Sequence, residues 1–254
     1  MRCYGIGDIH GHYDLLRIAQ DLVEADRARE GDSTSPLIHV GDLVDRGPKS
    51  AQVIEHLIRG QAEGQPWVVL KGNHDRLFSG FLADPFVRDP MLRAERPWLH
   101  PRVGGAPTLA SYGIRAPEDR PIAKLHAEAL EAVPPAHIAW LAALPLYHFV
   151  DQSLFVHAGI RPGVDLRNQT EDDLLWIRAT FLEDRREHGA LVVHGHTAID
   201  SPTHYGNHLN IDSSAAYGGP VSAVVIEGRD AWLLTPAGRV ALPPTPGAPV
   251  SVPH

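Results

Sequence analysis

Two carboxylates and a guanidinium fall within one eight-residue stretch, Gly41-Asp42-Leu43-Val44-Asp45-Arg46-Gly47-Pro48. It follows the apolar run Leu37-Ile38-His39-Val40 and precedes an amphipathic segment, so it reads as the turn where a strand feeds a helix. Three charged groups in a tight, partly buried turn are costly unless each has a partner. Asp42, at the exit of the strand, is placed to bind a metal. Arg46 offers an anion a planar, five-donor fork. Taken alone, the octapeptide reads equally well as a solvated turn with a local Asp–Arg pair. Four other strand ends carry the same chemistry, and they shift the balance.

Asp8 and His10 follow a strand at Arg2–Ile6, and Asn73 and His74 follow one at Trp67–Leu70. His157 follows Ser153–Val156, and His196 follows Ala190–Val193. Ligand sites in parallel α/β sheets form at the C-terminal edge of the strands. Asp8 and His10 are two apart, so in extended backbone their side chains share a side. The donors are oxygen and imidazole without thiolate, a set for manganese, iron, zinc or nickel rather than for a structural zinc site. There are more donors than one ion needs, and one carboxylate, Asp42, is central in the order. That points to two divalent ions roughly 3.5–4 Å apart, bridged by Asp42 and a water. Such a pair makes the water a hydroxide near neutral pH and stabilises charge on a transferring phosphoryl group.

The elements that must position these residues are legible for the first third of the chain. Leu15, Leu16, Ile18, Ala19, Leu22 and Val23 recur at helical spacing between Asp14 and about Arg27. Pro48 suits the first turn of a second helix, which buries Val53, Ile54, Leu57 and Ile58 and stops at Gly60. Strand and helix alternate, which predicts an α/β fold with parallel strands joined by crossovers. From Arg76 to about Arg120 the alternation stops. That segment reads as an inserted, partly helical cap, continuing through helices at Pro121–Ala132 and Pro135–Leu144 to about residue 145. Thr170-Glu171-Asp172-Asp173 opens a helix carrying Leu174, Leu175, Ile177 and Phe181, with acidic residues at its positive end. Strands are expected around Leu209–Ile211, Val221–Ile226 and Ala231–Leu234, the last two joined at Gly228-Arg229-Asp230. One domain over 1–241 is expected, with a proline-rich tail over 242–254.

Composition narrows the partners. The chain has 254 residues, 43% hydrophobic and 21% charged, with a formal charge of -8. That charge disfavours nucleic acid as a partner, since nonspecific binding needs a basic surface. No apolar run is long enough to span a bilayer, and Met1-Arg2-Cys3-Tyr4-Gly5 enters a strand rather than a signal peptide. A single cysteine excludes an internal disulfide. A cytoplasmic protein that does not engage membranes is the expectation. Oligomeric state is not legible.

The ordered motifs GDIHG, GDLVDRG and GNHD, followed by histidines in VHAG and GHT settings, resemble those of the calcineurin-like metallophosphoesterases. More narrowly, they resemble the bacterial and phage branch of the PPP Ser/Thr protein phosphatases. Leu174-Leu175-Trp176-Ile177-Arg178 and Ile211-Asp212-Ser213-Ser214-Ala215-Ala216-Tyr217-Gly218-Gly219 match later segments of that family. The resemblance implies a two-sheet β-sandwich flanked by helices. It implies that Asp8, His10 and Asp42 hold one metal and that Asp42, Asn73, His157 and His196 hold the second. Manganese is the expected ion. His74 resembles the general acid and Asp45 the carboxylate that orients it. Arg46 and Arg178 resemble a pair clamping phosphate oxygens, with Asn73 also facing substrate. Hydroxide then attacks phosphorus directly, without a covalent intermediate.

The resemblance implies a phosphomonoesterase acting on phosphoprotein or small phosphoester substrates, with Ser/Thr protein phosphatase as the leading expectation. A symmetrical dinucleoside tetraphosphatase is the alternative, though those relatives typically carry alanine where this chain has Asp45. A non-enzymatic metal-holding module is a third reading, disfavoured because scaffolding requires neither an acid nor an anion clamp. Plainer roles are expected elsewhere. His12 and His194 read as neighbours of ligands, His39 as a core residue, and His204 and His208 as outside the site. Asp75 reads as a local structural partner and Cys3 as inert core. Arg76 is a weak candidate for touching substrate. Trp98, Tyr112 and Trp140 read as packing.

Overall fold

The computed structural model describes residues 1–116 and 120–245. The chain begins β1 (Arg2–Ile6), α1 (Tyr13–Glu30), β2 (Leu37–His39), α2 (Ser50–Ala62), β3 (Trp67–Val69) and α3 (Asn73–Ala83). Then come α4 (Gly105–Ser111), α5 (Ile122–Ala132), α6 (Pro135–Ala143), β4 (Tyr147–Val150) and β5 (Ser153–Val156). The last third runs α7 (Glu171–Trp176), α8 (Ala179–Leu182), β6 (Leu191–His194), β7 (Thr203–His204) and β8 (His208–Asn210). It closes with β9 (Ala223–Glu227), β10 (Asp230–Thr235) and β11 (Gly238–Ala241).

Two mixed sheets form, in the orders β11-β10-β9-β1-β2-β3 and β4-β5-β6-β8-β7. The parallel strands expected from the alternation are β1, β2 and β3 in one sheet and β5, β6 and β8 in the other. Antiparallel strands complete both sheets. This is the two-layer α/β arrangement the motifs imply. Its central strands are continuous apolar runs because both of their faces are covered. On β9, Val224 and Ile226 join Cys3, Ile38, Phe155, Val193 and Ile211 between the sheets. Val225 faces the other way, into the layer with Leu16, Val53 and Leu57. The far face of the second sheet packs Leu154, Val156 and Val192 on Leu174, Ile177 and Phe181.

Three local differences from the sequence reading have physical causes. First, β4 was not anticipated. It is a short edge strand with Tyr147 and Phe149 exposed, paired antiparallel to β5. Second, α2 does not stop at Gly60 but runs on to Ala62. A Cβ at Gly60 would lie 1.9 Å from the Trp67 ring, so glycine is there for close packing rather than to end the helix. Third, the helix after Thr170 is two helices. It opens at Thr170 as the sequence indicates, in a capping box with Thr170 Oγ1 accepting from Asp173 N at 3.1 Å. The Leu174 carbonyl, however, accepts from Ala158 N at 2.8 Å. In a continued helix that carbonyl would accept from residue 178, so the helix breaks and Arg178 sits at the start of α8, not inside a helix.

In the segment read as a cap, α4 packs on α2, and α5 and α6 pack on α3. Phe78, Phe81, Trp98 and Tyr112 form an aromatic group at that junction. At the start of the expected tail, Leu242 N donates to Ala231 O and Thr245 N to His204 O. The rest of the expected tail, 246–254, lies outside the described residues. Among the described residues no helix is long and apolar enough to cross a membrane.

The inter-sheet layer makes a direct stability prediction. Phe155 is fully buried there, so Phe155→Ala should lower unfolding stability by about 3–5 kcal/mol. Urea unfolding measures it; a loss under about 1 kcal/mol would mean that the layer is not close-packed.

Candidate metal centre

Three turns at the edge of the first sheet are bonded to one another before any side chain meets a ligand. The Asp42 carbonyl accepts from Ile9 N and His10 N, and Gly47 N donates to the His10 carbonyl. Asp75 spans the second and third turns, accepting from Leu43 N at 3.0 Å and Gly72 N at 2.7 Å. It is thus the local structural partner expected from sequence. Gly72 and Gly47 allow the close approach: a Cβ at either would lie 2.1 Å from a neighbouring turn's backbone, at Asp42 N and the His10 carbonyl oxygen respectively. His10, Asp42, Asp45, Arg46 and His196 all have positive φ, between 46° and 72°. Left-handed backbone at a non-glycine residue costs on the order of 1–3 kcal/mol, and it persists only where surroundings over-determine it.

The resulting cluster centres on Asp42, which is 2% exposed. Its carboxylate lies in two groups of converging donors, one with His10 and His74 and one with His157 and His196. His10 Nδ1–H donates to Val44 O at 3.0 Å, and His157 Nδ1–H donates to Val40 O at 2.9 Å. Each ring therefore presents the Nε2 lone pair inward. His10 Nε2 faces Asp42 Oδ2 at 3.4 Å, and His157 Nε2 faces Asp42 Oδ1 at 3.3 Å. Asn73 Oδ1 lies 2.9 Å from His157 Nε2 and 2.8 Å from His196 Nδ1, while His196 Nε2 is buried with no hydrogen-bond partner.

Electrostatics sharpen the point. Burial would push the Asp42 carboxyl up. Its charge interactions with the imidazoles of His157, His74, His10 and His196 pull it well below the carboxylate range, so an anion here depends on positive charge reaching the pocket. Burial also holds His10, His157 and His196 below the usual imidazole value, helped at His10 by Arg46 and at His196 by Arg178. These rings are accordingly neutral near pH 7. Lone pairs then confront both oxygens of one carboxylate, which is repulsive unless cations lie between them. The donor set fits divalent metals on both sides of Asp42.

The other expected residues fall around this centre. Asp8 belongs to neither group of converging donors; its carboxylate accepts from His196 N at 3.0 and 3.2 Å. Burial raises its pKa, with Asp212 and Asp42 adding to the effect. His74 offers a nitrogen to the first group, and its Nδ1 is 2.7 Å from Asp45 Oδ2. Arg46 Nη1 donates to His10 Nε2 at 3.1 Å, with its guanidinium over the Tyr217 ring. Arg178 is exposed as a residue, and its Nη1 donates to Thr197 Oγ1 at 3.4 Å.

The residues given plainer roles mostly keep them. His39 meets Gln20 in the core, His194 and His208 bond each other, and His204 bonds Arg229 O. Burial pushes the Cys3 thiol up to about 12. Arg76 is engaged by Asp89 and Asp172. Trp98 packs as expected and also does more. Its indole N–H donates to both Asp45 oxygens, at 2.9 and 3.1 Å, and Thr108 Oγ1 donates to Oδ1 at 2.8 Å. No spacing in the irregular segment marks either residue. Asp212 lies in the second of the later segments that resemble the family. It is buried near Asp42, Arg46 and Arg178, and burial raises its carboxyl to about 6.

If Asp42 is shared, Asp42→Asn should lose metal from both sides while His196→Ala loses about one equivalent. Metal content by mass spectrometry after gel filtration measures this. An Asp42→Asn protein that keeps two equivalents would show that the carboxylate is not shared.

The chain is similar to several known proteins. The asymmetrical bis(5'-nucleosyl)-tetraphosphatase PrpE of a Geobacillus species is 25% identical over 252 residues, covering 86% of this chain and 87% of that protein. A symmetrical bis(5'-nucleosyl)-tetraphosphatase of Methylobacillus flagellatus is 31% identical over 162 residues, covering 64% of this chain and 44% of that protein. Among solved structures, a cold-active protein-tyrosine phosphatase of a Shewanella species superposes with a TM-score of 0.64. It shares 18% identity, over 95% of this chain and 80% of that one. Residues 1–226 match the Calcineurin-like phosphoesterase family, and the chain belongs to it.

Proposed function

We propose that the chain is a divalent-metal-dependent phosphomonoesterase whose substrates include phosphoserine and phosphothreonine. The carrying observation is the Asp45–His74 pair: a fully buried carboxylate 2.7 Å from His74 Nδ1. An acid held this way is useful where the leaving group is poor. A serine or threonine alkoxide cannot depart readily without a proton, whereas a phosphate or nitrophenolate can.

The chain's own groups divide the work. Asp42, His10, Asn73, His157 and His196 would hold the ions, with Asp8 beside them at the His196 backbone. Two such ions would lower the pKa of a water nucleophile and neutralise charge on the phosphoryl group. Arg46 and Arg178 flank the centre, and their guanidiniums suit the non-bridging phosphate oxygens. Asn73 serves the ions and lies within reach of the same phosphate. As the water oxygen bonds to phosphorus and the ester P–O bond breaks, His74 gives its Nε2 proton to the leaving oxygen. Asp45 keeps the ring oriented through Nδ1–H and stabilises the protonated form. Manganese is the proposed native ion, because imidazole donors suit it better than they suit the hard Mg²⁺.

A second reading, hydrolysis of dinucleoside tetraphosphates, is favoured by the names of the relatives that align nearly end to end with this chain. Those relatives are named asymmetrical tetraphosphatases, and the symmetrical relative of Methylobacillus flagellatus is matched over less than half its length.

Chelated protein should regain more activity with Mn²⁺ than with Mg²⁺; equal recovery would argue against imidazole-dominated ligation. The substrate reading is decided on metal-loaded enzyme with a phosphoserine peptide, p-nitrophenyl phosphate and diadenosine tetraphosphate. The peptide should be turned over. His74→Ala should lose on the order of 10²–10⁴-fold in kcat on the peptide and far less on p-nitrophenyl phosphate, at unchanged metal content. Equal losses would mean that His74 positions metal or phosphate. Turnover of the tetraphosphate alone would establish the second reading.

A further inference from the structure

The buried end of the acid pair is held by residues that neither the motifs nor the family match singles out. Asp45 is fully buried, and its carboxylate receives three donors: His74 Nδ1–H, the Trp98 indole N–H and the Thr108 hydroxyl. The direction of the Thr108 hydroxyl is forced. A carboxylate oxygen can only accept, so at 2.8 Å the Thr108 proton goes to Asp45 Oδ1, while the Thr108 oxygen accepts from Asp45 N at 2.8 Å and lies 3.1 Å from Ser50 Oγ. Thr108 thus grips both the backbone and the carboxylate of one residue. Trp98 is aimed by packing, its ring centroid 5.4 Å from Phe78 and 4.7 Å from Phe81. Gly104 O, between them in sequence, accepts from Arg46 N at 2.9 Å. Asp45 and Arg46 both occupy left-handed backbone, at φ 72° and 68°. The same short stretch of the inserted segment therefore pins both strained residues of the turn.

Building on the acid role given to His74 above, we propose that Trp98 and Thr108 are positioning residues for proton donation to the leaving group. They act through Asp45. By occupying the lone pairs not used by His74, they leave the carboxylate one orientation, and that sets the plane and tilt of the imidazole. A buried carboxylate with one of these donors removed is under-satisfied and can turn toward whichever donor remains. The acid is then present but misaimed. Trp98 also walls a cavity of about 310 Å³, together with Leu77, Phe81, Leu92 and Leu99, so damage to that cavity must be separated from loss of the hydrogen bond.

The experiment compares Trp98→Phe, Thr108→Val and Thr108→Ser with Leu92→Ala, a cavity-wall change at a side chain that makes no hydrogen bond to Asp45. Each is assayed as the full chain loaded with Mn²⁺, with metal quantified. The readout is the ratio of kcat on a phosphoserine peptide to kcat on p-nitrophenyl phosphate. Trp98→Phe and Thr108→Val should each lower that ratio about tenfold, a part of what the acid contributes. Thr108→Ser and Leu92→Ala should leave it near the wild-type value. A second readout needs no turnover: the indole ¹H–¹⁵N resonance that Trp98→Phe deletes should move in Asp45→Asn. Parallel losses on both substrates, failure of Thr108→Ser to restore the ratio, or an unmoved indole resonance would each overturn the proposal. Should Trp98→Phe not fold, the Thr108 pair decides. A clear split in His74→Ala without one in these variants removes this proposal alone. No split in His74→Ala removes the acid reading and this proposal with it.

Discussion

A carboxylate buried between the lone pairs of imidazoles cannot be stable without positive charge, and that constraint at Asp42 organises this molecule. His10 and His157 both spend their one ring proton on backbone carbonyls, Val44 O and Val40 O. What remains pointing inward is electron density from two directions onto one anion. The fold supplies the enclosure and the donors and leaves the cations to solution. Metal binding and local stability are coupled for that reason.

Holding donors this close requires backbone that would not otherwise be adopted. The strained residues concentrate at the cluster, and the hydrogen bonds that offset them come from neighbouring turns and from the Asp75 carboxylate. The two sheets make this possible. Each ends several strands at the same edge, so side chains distant in sequence meet without long excursions. His157 and His196 enter from the second sheet and complete what the first sheet begins. The break between α7 and α8 serves the same end, because the Leu174 carbonyl that stops the helix is taken by Ala158, the residue after His157.

Much of this centre was legible because its donors follow directly on apolar runs whose period and endings are local signals. Asp42, His10, His157 and His196, which the structure brings together, are legible that way. What stayed hidden depends on contacts between distant segments. The break before Arg178 follows from a carbonyl engaged by another segment, which no helical pattern reports. Gly60 looked like a helix stop because glycine often is one; only the Trp67 ring across from it shows otherwise. Trp98 and Thr108 lie in a stretch with neither periodicity nor motif, and an aromatic residue there is read by default as packing. Asp8 reads like the other ligands in sequence, yet its nearest partner is the His196 backbone. Positive φ at non-glycine residues leaves no trace in composition at all.

The central claim is that one buried carboxylate serves two cations. Anomalous diffraction from crystals grown with Mn²⁺ tests it most directly, because it locates ions without relying on turnover or on variants that must fold. The account predicts two manganese peaks on opposite sides of the Asp42 carboxylate, one against His10 and the other among Asn73, His157 and His196. A single peak, or peaks that leave Asp42 without a metal contact, would contradict it.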